Sequence, residues 1–239
     1  MIAIVDYGRG NLRSVEKAFV RLGMETVITQ DPALVRTARA LVLPGDGAFH
    51  DAMQNLGRLG LLTPIRESLE AGRPFLGICL GYQLLFSESE EWGHSKGLDL
   101  IPGVVRRFPK GIKGKEDGRE SNSGGPPQMA GEAQPGGPPL TSGRELKVPH
   151  MGWNRVMHGG DLAIFDGIPS GAYFYFVHSY YPEPLDGTLR VATCHYGVTF
   201  PAAIGKGNLF ATQFHPEKSQ AWGLKLLENF ARIVRAYRP

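Results

Sequence analysis

Cysteine is scarce in this chain: Cys79 and Cys194 are the only two among 239 residues. Two thiols in a chain this long make no disulfide framework, and a reducing, cytoplasmic setting is the expectation. No run of about 18 apolar residues occurs, so no transmembrane helix is expected. Excess charge is also missing. A net charge of +3 is too small for the concentrated basic face that nucleic-acid binding calls for. The opening Met1-Ile2-Ala3-Ile4-Val5-Asp6 lacks the basic n-region of a signal peptide and reads as a first strand. What is present, 42% hydrophobic and 21% charged residues, is the balance of an ordinary globular protein with enough chain to bury a core.

The first hundred residues alternate strand and helix patterns. Ile2 to Val5 is a short buried-strand run. Val15, Ala18, Phe19 and Leu22 recur at i, i+3, i+4 and i+7, one apolar helix face closed by Gly23. Ala40–Leu43 and Pro74–Ile78 read as further strands, the first ending in Pro44-Gly45 and the second at Cys79. Strands separated by helices imply an open parallel sheet covered on both faces. In the second half, Leu162–Phe165, Ala172–Val177, Leu189–Thr193 and Leu209–Phe214 read as strands that extend the same sheet with some antiparallel pairs. A last helix is expected over Ser219–Tyr237, with Leu226, Leu227, Phe230, Ile233 and Val234 on one side.

Residues 110–145 break this pattern, with nine Gly, five Pro, no aromatic residue and five charges of each sign in 36 positions. Such a stretch buries too little apolar area to offset its ordering entropy, so it reads as a flexible surface loop inside one domain spanning 1–239.

The chemistry concentrates at Gly77-Ile78-Cys79-Leu80-Gly81, a thiol version of the G-x-S-x-G nucleophile elbow, followed by a helical stretch at Tyr82–Phe86. A sharp strand-to-helix turn strains the backbone, and flanking glycines remove Cβ atoms that would clash. The thiol then stands at a helix start that favours a thiolate, and the Leu80 N–H is placed to donate to an oxyanion. A small buried cysteine in a glycine-rich turn is the plain structural alternative. Phe214-His215-Pro216-Glu217 supplies a base and an acid to orient it; in an extended segment i and i+2 share a side, so Glu217 flanks His215. On its own that tripeptide is a weak signal, but the elbow and His-x-Glu together complete a triad. Cys194 and His195, as adjacent strand residues, point to opposite faces and suggest no metal site. Gly8-x-Gly10 lacks the third glycine of a dinucleotide fingerprint, and no cofactor is assigned.

Gly-Ile-Cys-Leu-Gly-Tyr-Gln at 77–83 with His-Pro-Glu-Lys-Ser at 215–219 resembles the class I (triad) glutamine amidotransferases. Within them, Asp6–Asn11, Pro149–Asn154 and Phe176–Tyr180 resemble the glutaminase subunits of imidazole glycerol phosphate synthase. The resemblance runs nearly end to end and is interrupted by the 110–145 segment. It implies a flavodoxin-like α/β fold with an extended mixed sheet. It also implies a glutaminase that feeds ammonia to a cyclase partner in a heterodimer of histidine biosynthesis, in which Cys79 attacks the amide and His215 protonates the departing ammonia. It places Gln83 and Glu91 at the substrate's polar end, and the backbone of Gly47 and of His178, Ser179 and Tyr180 around the pocket. Without the resemblance, Gln83 and Glu91 are equally well exposed helix polars and His178 a satisfied core histidine.

Pro44-Gly45-Asp46-Gly47 resembles the family's oxyanion strand, Pro-Gly-Val-Gly, with Asp46 as a departure. An acidic side chain there is unhelpful unless it points outward. Asn11, Trp153 and Lys218 match positions that meet the cyclase; a helix-capping Asn, a core Trp and a surface Lys are the alternatives. Two rival functions stay open: the amidotransferase subunit of another synthase, of the anthranilate type, and a catalytically silent binding protein.

Overall fold

A computed structural model describes residues 1–113 and 145–238. The first strands and helices are β1 (Ile2–Val5), α1 (Leu12–Arg21), β2 (Thr26–Thr29), α2 (Pro32–Thr37), β3 (Ala40–Gly45), α3 (Phe49–Arg58), α4 (Leu62–Glu70) and β4 (Phe75–Cys79). A single turn, α5 (Leu80–Gln83), leads into β5 (Phe86–Ser89), β6 (Ser95–Lys96) and β7 (Ile101–Arg107). Beyond the glycine-rich segment come β8 (His150–Val156), β9 (Ala172–His178), β10 (Tyr180–Pro184), β11 (Arg190–Tyr196), β12 (Val198–Lys206), β13 (Leu209–Thr212) and α6 (Gln220–Ala236).

The central sheet has seven strands in the order β11-β12-β13-β4-β3-β1-β2. From β2 to β13 all neighbours are parallel, while β12 meets β13 and β11 antiparallel. The parallel part, β2-β1-β3-β4-β13, is the flavodoxin-type order, whose loops at the strand C-terminal ends form the ligand crevice. Successive residues of β1 divide between two cores: Ile2 and Ile4 pack with Val15 and Phe19 of α1 and Leu226 and Phe230 of α6. Ala3 and Val5 pack with Val35, Leu56 and Ile65 of α2, α3 and α4. The continuous apolar runs in these strands follow from that two-sided burial. The guanidinium of Arg39 ties the start of β3 to the end of α6, donating to the carbonyls of Val234, Arg235 and Tyr237.

Three expectations change. The second half does not all join one sheet: β10, β7, β5 and β6 form a separate four-stranded sheet, and β8 with β9 a two-stranded ribbon. Leu162–Phe165 is no strand but a 3-10 turn at Ala163–Phe165. The Asn229 amide of α6 takes the Ile164 and Asp166 carbonyls at 3.0 and 2.7 Å, closing the turn against that helix. The helical stretch expected over Tyr82–Phe86 is displaced, with α5 ending at Gln83. Leu84 and Leu85 turn their carbonyls to Leu98, Leu100 and Ile101, and Phe86 begins β5.

Most of the 110–145 segment lies outside the described residues, but its edges belong to the fold. Ile112 is buried with Leu146, and Lys113 pairs with Glu145 in an antiparallel bridge. Ile112 is therefore not solvated loop, and Lys113 and Glu145, though exposed, are tied together by that bridge.

Candidate active site

Cys79 ends β4, between β3 and β13, and caps α5 with φ 55° and ψ −106°. A non-glycine residue in that region carries strain on the order of 1–3 kcal/mol, held in place by its surroundings. Two glycines make the turn possible. A Cβ on Gly81 would lie 1.7 Å from the Leu43 carbonyl oxygen, and one on Gly77 would lie 2.8 Å from the Gly81 carbonyl oxygen. With α5 only one turn long, the elbow offers the sulphur local backbone N–H groups, Leu80 included, and not the dipole of a long helix.

His215 follows β13 and is buried. Its N–H donates to the Tyr175 carbonyl at 2.9 Å, and its own carbonyl accepts from the Ser219 hydroxyl at 2.6 Å. Pro216–Lys218 forms a 3-10 turn rather than the extended segment expected, and this turn brings Glu217 back beside the ring. Nδ1 of His215 lies 2.9 Å from Oε1 of Glu217. The carboxylate accepts, so Nδ1 carries hydrogen and Nε2 is left to the Cys79 sulphur. Burial alone would push His215 down. The charge and acceptor capacity of Cys79, with the hydrogen bond and charge of Glu217, outweigh it and raise His215 to about 10. The arrangement suits a thiolate–imidazolium pair.

A sign follows from this. With the folded value above the unfolded one, His215 stabilises fully below its unfolded value near 6.5 and loses that contribution as pH climbs through about 10. Cys79→Ala removes the largest upward influence, so the His215 ring should titrate at lower pH in that variant, read by NMR of labelled histidine. An unmoved titration would mean that the sulphur and the ring do not interact.

Cys79 and His215 open into a cavity of about 300 Å³, lined also by Asp46, Gly47, Leu80, Gln83, Glu91, His178, Ser179 and Tyr180. Gly45 sits behind the wall, in register with Cys79, where a Cβ would fall 2.0 Å from the buried Tyr7 hydroxyl. Asp46 is exposed, and its carboxylate accepts the Gly10 N–H at 3.1 Å, so the departing residue turns to the loop after β1. Glu91 accepts the Phe49 N–H at 2.7 Å; burial raises its carboxyl above the usual range, against the pull of that bond. The amide nitrogen of Gln83 is already engaged, donating to the Tyr180 carbonyl and to Gln213 Oε1, each at 3.0 Å. His178 is a satisfied, buried side chain, which leaves its backbone to the pocket.

Asn11 and Lys218 stand exposed at the rim of the same cavity, which Pro149 also lines. Trp153 is not core. It lies half-buried on the outer face of the β8–β9 ribbon, edge-on to Tyr175 at 6.0 Å, and the Lys218 ammonium sits 6.0 Å above that same ring. Cross-strand pairs Met151–Val177, Trp153–Tyr175 and Arg155–Tyr173 make this face largely apolar and aromatic, with Met151 53% exposed.

Gln213 carries no motif that singles it out in the sequence. It is fully buried two residues before His215, with its amide nitrogen 3.7 Å from Cys79 Sγ. A polar residue between the apolar positions Ala211 and Phe214 is the only signal the sequence offers. His150 likewise stands inside a motif without a role there, and lies 2.9 Å from His178.

Comparison with known proteins places these features in company. Residues 3–234 match the family model described as Glutamine amidotransferase class-I. The imidazole glycerol phosphate synthase subunit HisH of Syntrophotalea carbinolica is 50% identical over 230 residues, 96% of this chain and 98% of the relative. That of Geobacter sulfurreducens is 48% identical over 97% and 98% respectively. Among solved structures, a putative GMP synthase component from Thermoplasma acidophilum has a TM-score of 0.66 at 21% identity, covering 99% of this chain and 94% of the other. A crystal structure of a glutamine amidotransferase has a TM-score of 0.65 at 17% identity, covering 99% of this chain and 100% of the other. These two likenesses speak to the fold alone.

Proposed function

We infer the activity from one premise: this chain belongs to the class-I glutamine amidotransferase family, among the HisH-type subunits of imidazole glycerol phosphate synthase. It hydrolyses glutamine to glutamate and ammonia. The observation that carries the reading is Cys79 on its strained elbow, facing a buried His215 that Glu217 holds at 2.9 Å.

The Cys79 thiolate attacks the side-chain amide carbon, and the oxygen takes up negative charge. Backbone N–H groups of Leu80 and of the Pro44–Gly47 strand are the donors for that charge. The C–N bond then breaks as His215 gives its proton to the nitrogen, and ammonia leaves a thioester on Cys79. Water, losing a proton to His215, attacks the thioester; the C–S bond breaks, and glutamate departs. Glu217 orients the ring throughout and takes no proton. Glu91 and Gln83 border the end of the cavity where the substrate's α-amino and carboxylate groups lie.

Ammonia set free in neutral water becomes mostly ammonium, which is no nucleophile, so the product must pass directly to an acceptor site. The acceptor is a cyclase subunit that makes imidazole glycerol phosphate and AICAR, paired with this chain as a heterodimer. The apolar outer face of the β8–β9 ribbon, with Trp153, and the rim residues Asn11 and Lys218 are the surface it covers. Closing the mouth of the cavity in this way leaves the partner as the exit.

Glutamate production by the purified chain alone should be slow, rising on the order of 10²–10³-fold with the cyclase and its nucleotide ligand, the factor that one oxyanion donor commands. Gly45 and Gly47 allow a peptide of the oxyanion strand to turn over, and docking selects the donor-inward form. Full activity in the chain alone would instead make it a free-standing glutaminase.

A further inference from the structure

We propose that a buried hydrogen-bond chain of fixed direction runs from Asn154 on the ribbon to the Cys79 sulphur, and that Gln213 is the donor that holds the sulphur in place. The proposal rests on Cys79 being the nucleophile.

Each link's direction follows from the one before it. The Tyr180 carbonyl can only accept, so His178 Nδ1, 2.8 Å away, carries the hydrogen. A neutral His178 then accepts at Nε2, and His150 Nδ1, at 2.9 Å, must donate to it. His150 Nε2 is thereby an acceptor, facing the Asn154 amide nitrogen at 3.2 Å. The orientation of that amide is set independently, because its oxygen accepts the Arg155 N–H at 2.7 Å and its nitrogen donates to the His195 carbonyl at 3.0 Å. Burial disfavours charge on both rings, lowering His178 to about 3 and His150 well below its ordinary value, which keeps them neutral as this order requires.

From the other side, Gln83 donates to the same Tyr180 carbonyl and to Gln213 Oε1. The Gln213 amide oxygen is thus occupied, and its nitrogen is the end that meets Sγ at 3.7 Å. Because the Tyr180 carbonyl accepts from both directions, no proton can travel the length of the chain. It positions rather than conducts. Gln213 touches the reacting atom. His150 and His178 act through Tyr180 and Gln83, as positioning residues, and they connect the sulphur to the strand that carries Trp153.

The test is alkylation of Cys79 by iodoacetamide at pH 5.5 in the full-length chain, followed by mass spectrometry of the Cys79 peptide. Iodoacetamide takes the place of glutamine, so the result stands whether or not glutamine is the substrate. Gln213→Leu should slow the reaction about ten-fold, the weight of one hydrogen bond to a charged group. Gln213→Met, which keeps the length of the side chain and loses the donor, should do the same and serves if the leucine variant fails to fold. His150→Phe keeps the ring stacked on Phe176 and Tyr196 and should slow alkylation by a smaller factor. The His150→Phe/Gln213→Leu double variant should be no slower than Gln213→Leu alone. A wild-type rate in both Gln213 variants would overturn the sulphur contact, and multiplicative losses in the double variant would overturn the chain.

Discussion

Replacing Cys79 with alanine should remove glutamine-dependent synthesis by the assembled enzyme by at least about 10⁴-fold and leave ammonia-dependent synthesis at its original rate. The first effect follows because no second thiol can stand in: Cys194, the other one in the chain, is buried on β11. The second follows from the division of labour, since cyclisation takes place on the partner and needs only ammonia. Alanine keeps the Cβ that β4 already accommodates, so the elbow is preserved. Assays with glutamine and with an ammonium salt at alkaline pH separate the two. Equal loss of both would mean that Cys79 holds the structure or the assembly together and does no chemistry.

His215→Ala should be nearly as damaging, and Glu217→Gln should cost at least an order of magnitude less than His215→Ala. In the proposed mechanism the imidazole moves two protons, one to the leaving nitrogen and one from water, whereas the carboxylate moves none. A glutamine at 217 still offers an oxygen to Nδ1 at the place where Oε1 now lies 2.9 Å away. What it loses is the charge that helps hold His215 up to about 10, so the remaining activity of Glu217→Gln should fall off at lower pH than that of the parent. Steady-state kinetics of both variants across pH decide the roles. A Glu217→Gln variant slower than His215→Ala would reverse the assignment.

Much of this is legible in the sequence because it is contiguous there. The elbow occupies five neighbouring residues, and its glycines prove to be the positions where a Cβ cannot fit. Alternating strand and helix patterns likewise point to the parallel half of the sheet. Spacing pairs His215 with Glu217, though by a different geometry from the one it suggests: a 3-10 turn, not an extended strand, brings them together. What stays hidden depends on contacts between distant segments. β5, Phe86–Ser89, has three polar residues among its four, and it becomes a strand because β7 and β6 pair with it, as local propensity would not require. The ribbon leaves the main sheet because His150 pairs with His178 and not with a central strand. Gln213 is invisible for the same reason. Its partners are 130 and 134 residues away in sequence, and a buried glutamine reads the same whether it holds a sulphur or merely fills a gap.

The packing of Gly81 against Leu43, and of Gly77 against Gly81, also bears on how the molecule can change over time. Alanine in place of glycine at a compatible backbone position ordinarily adds about 0.4–1 kcal/mol of stability, which makes it an early step in most routes to a hardier protein. Here that route is closed, since a methyl group at either position would meet backbone within 3 Å. The nucleophile's support is thus a frozen part of the sequence, where drift has nowhere to go. Variation has its room in the outward side chains of the β8–β9 ribbon, Met151, Trp153 and Tyr175, the face proposed to meet the cyclase. A lineage can therefore retune which protein it joins, and how tightly, while the chemistry beneath stays fixed.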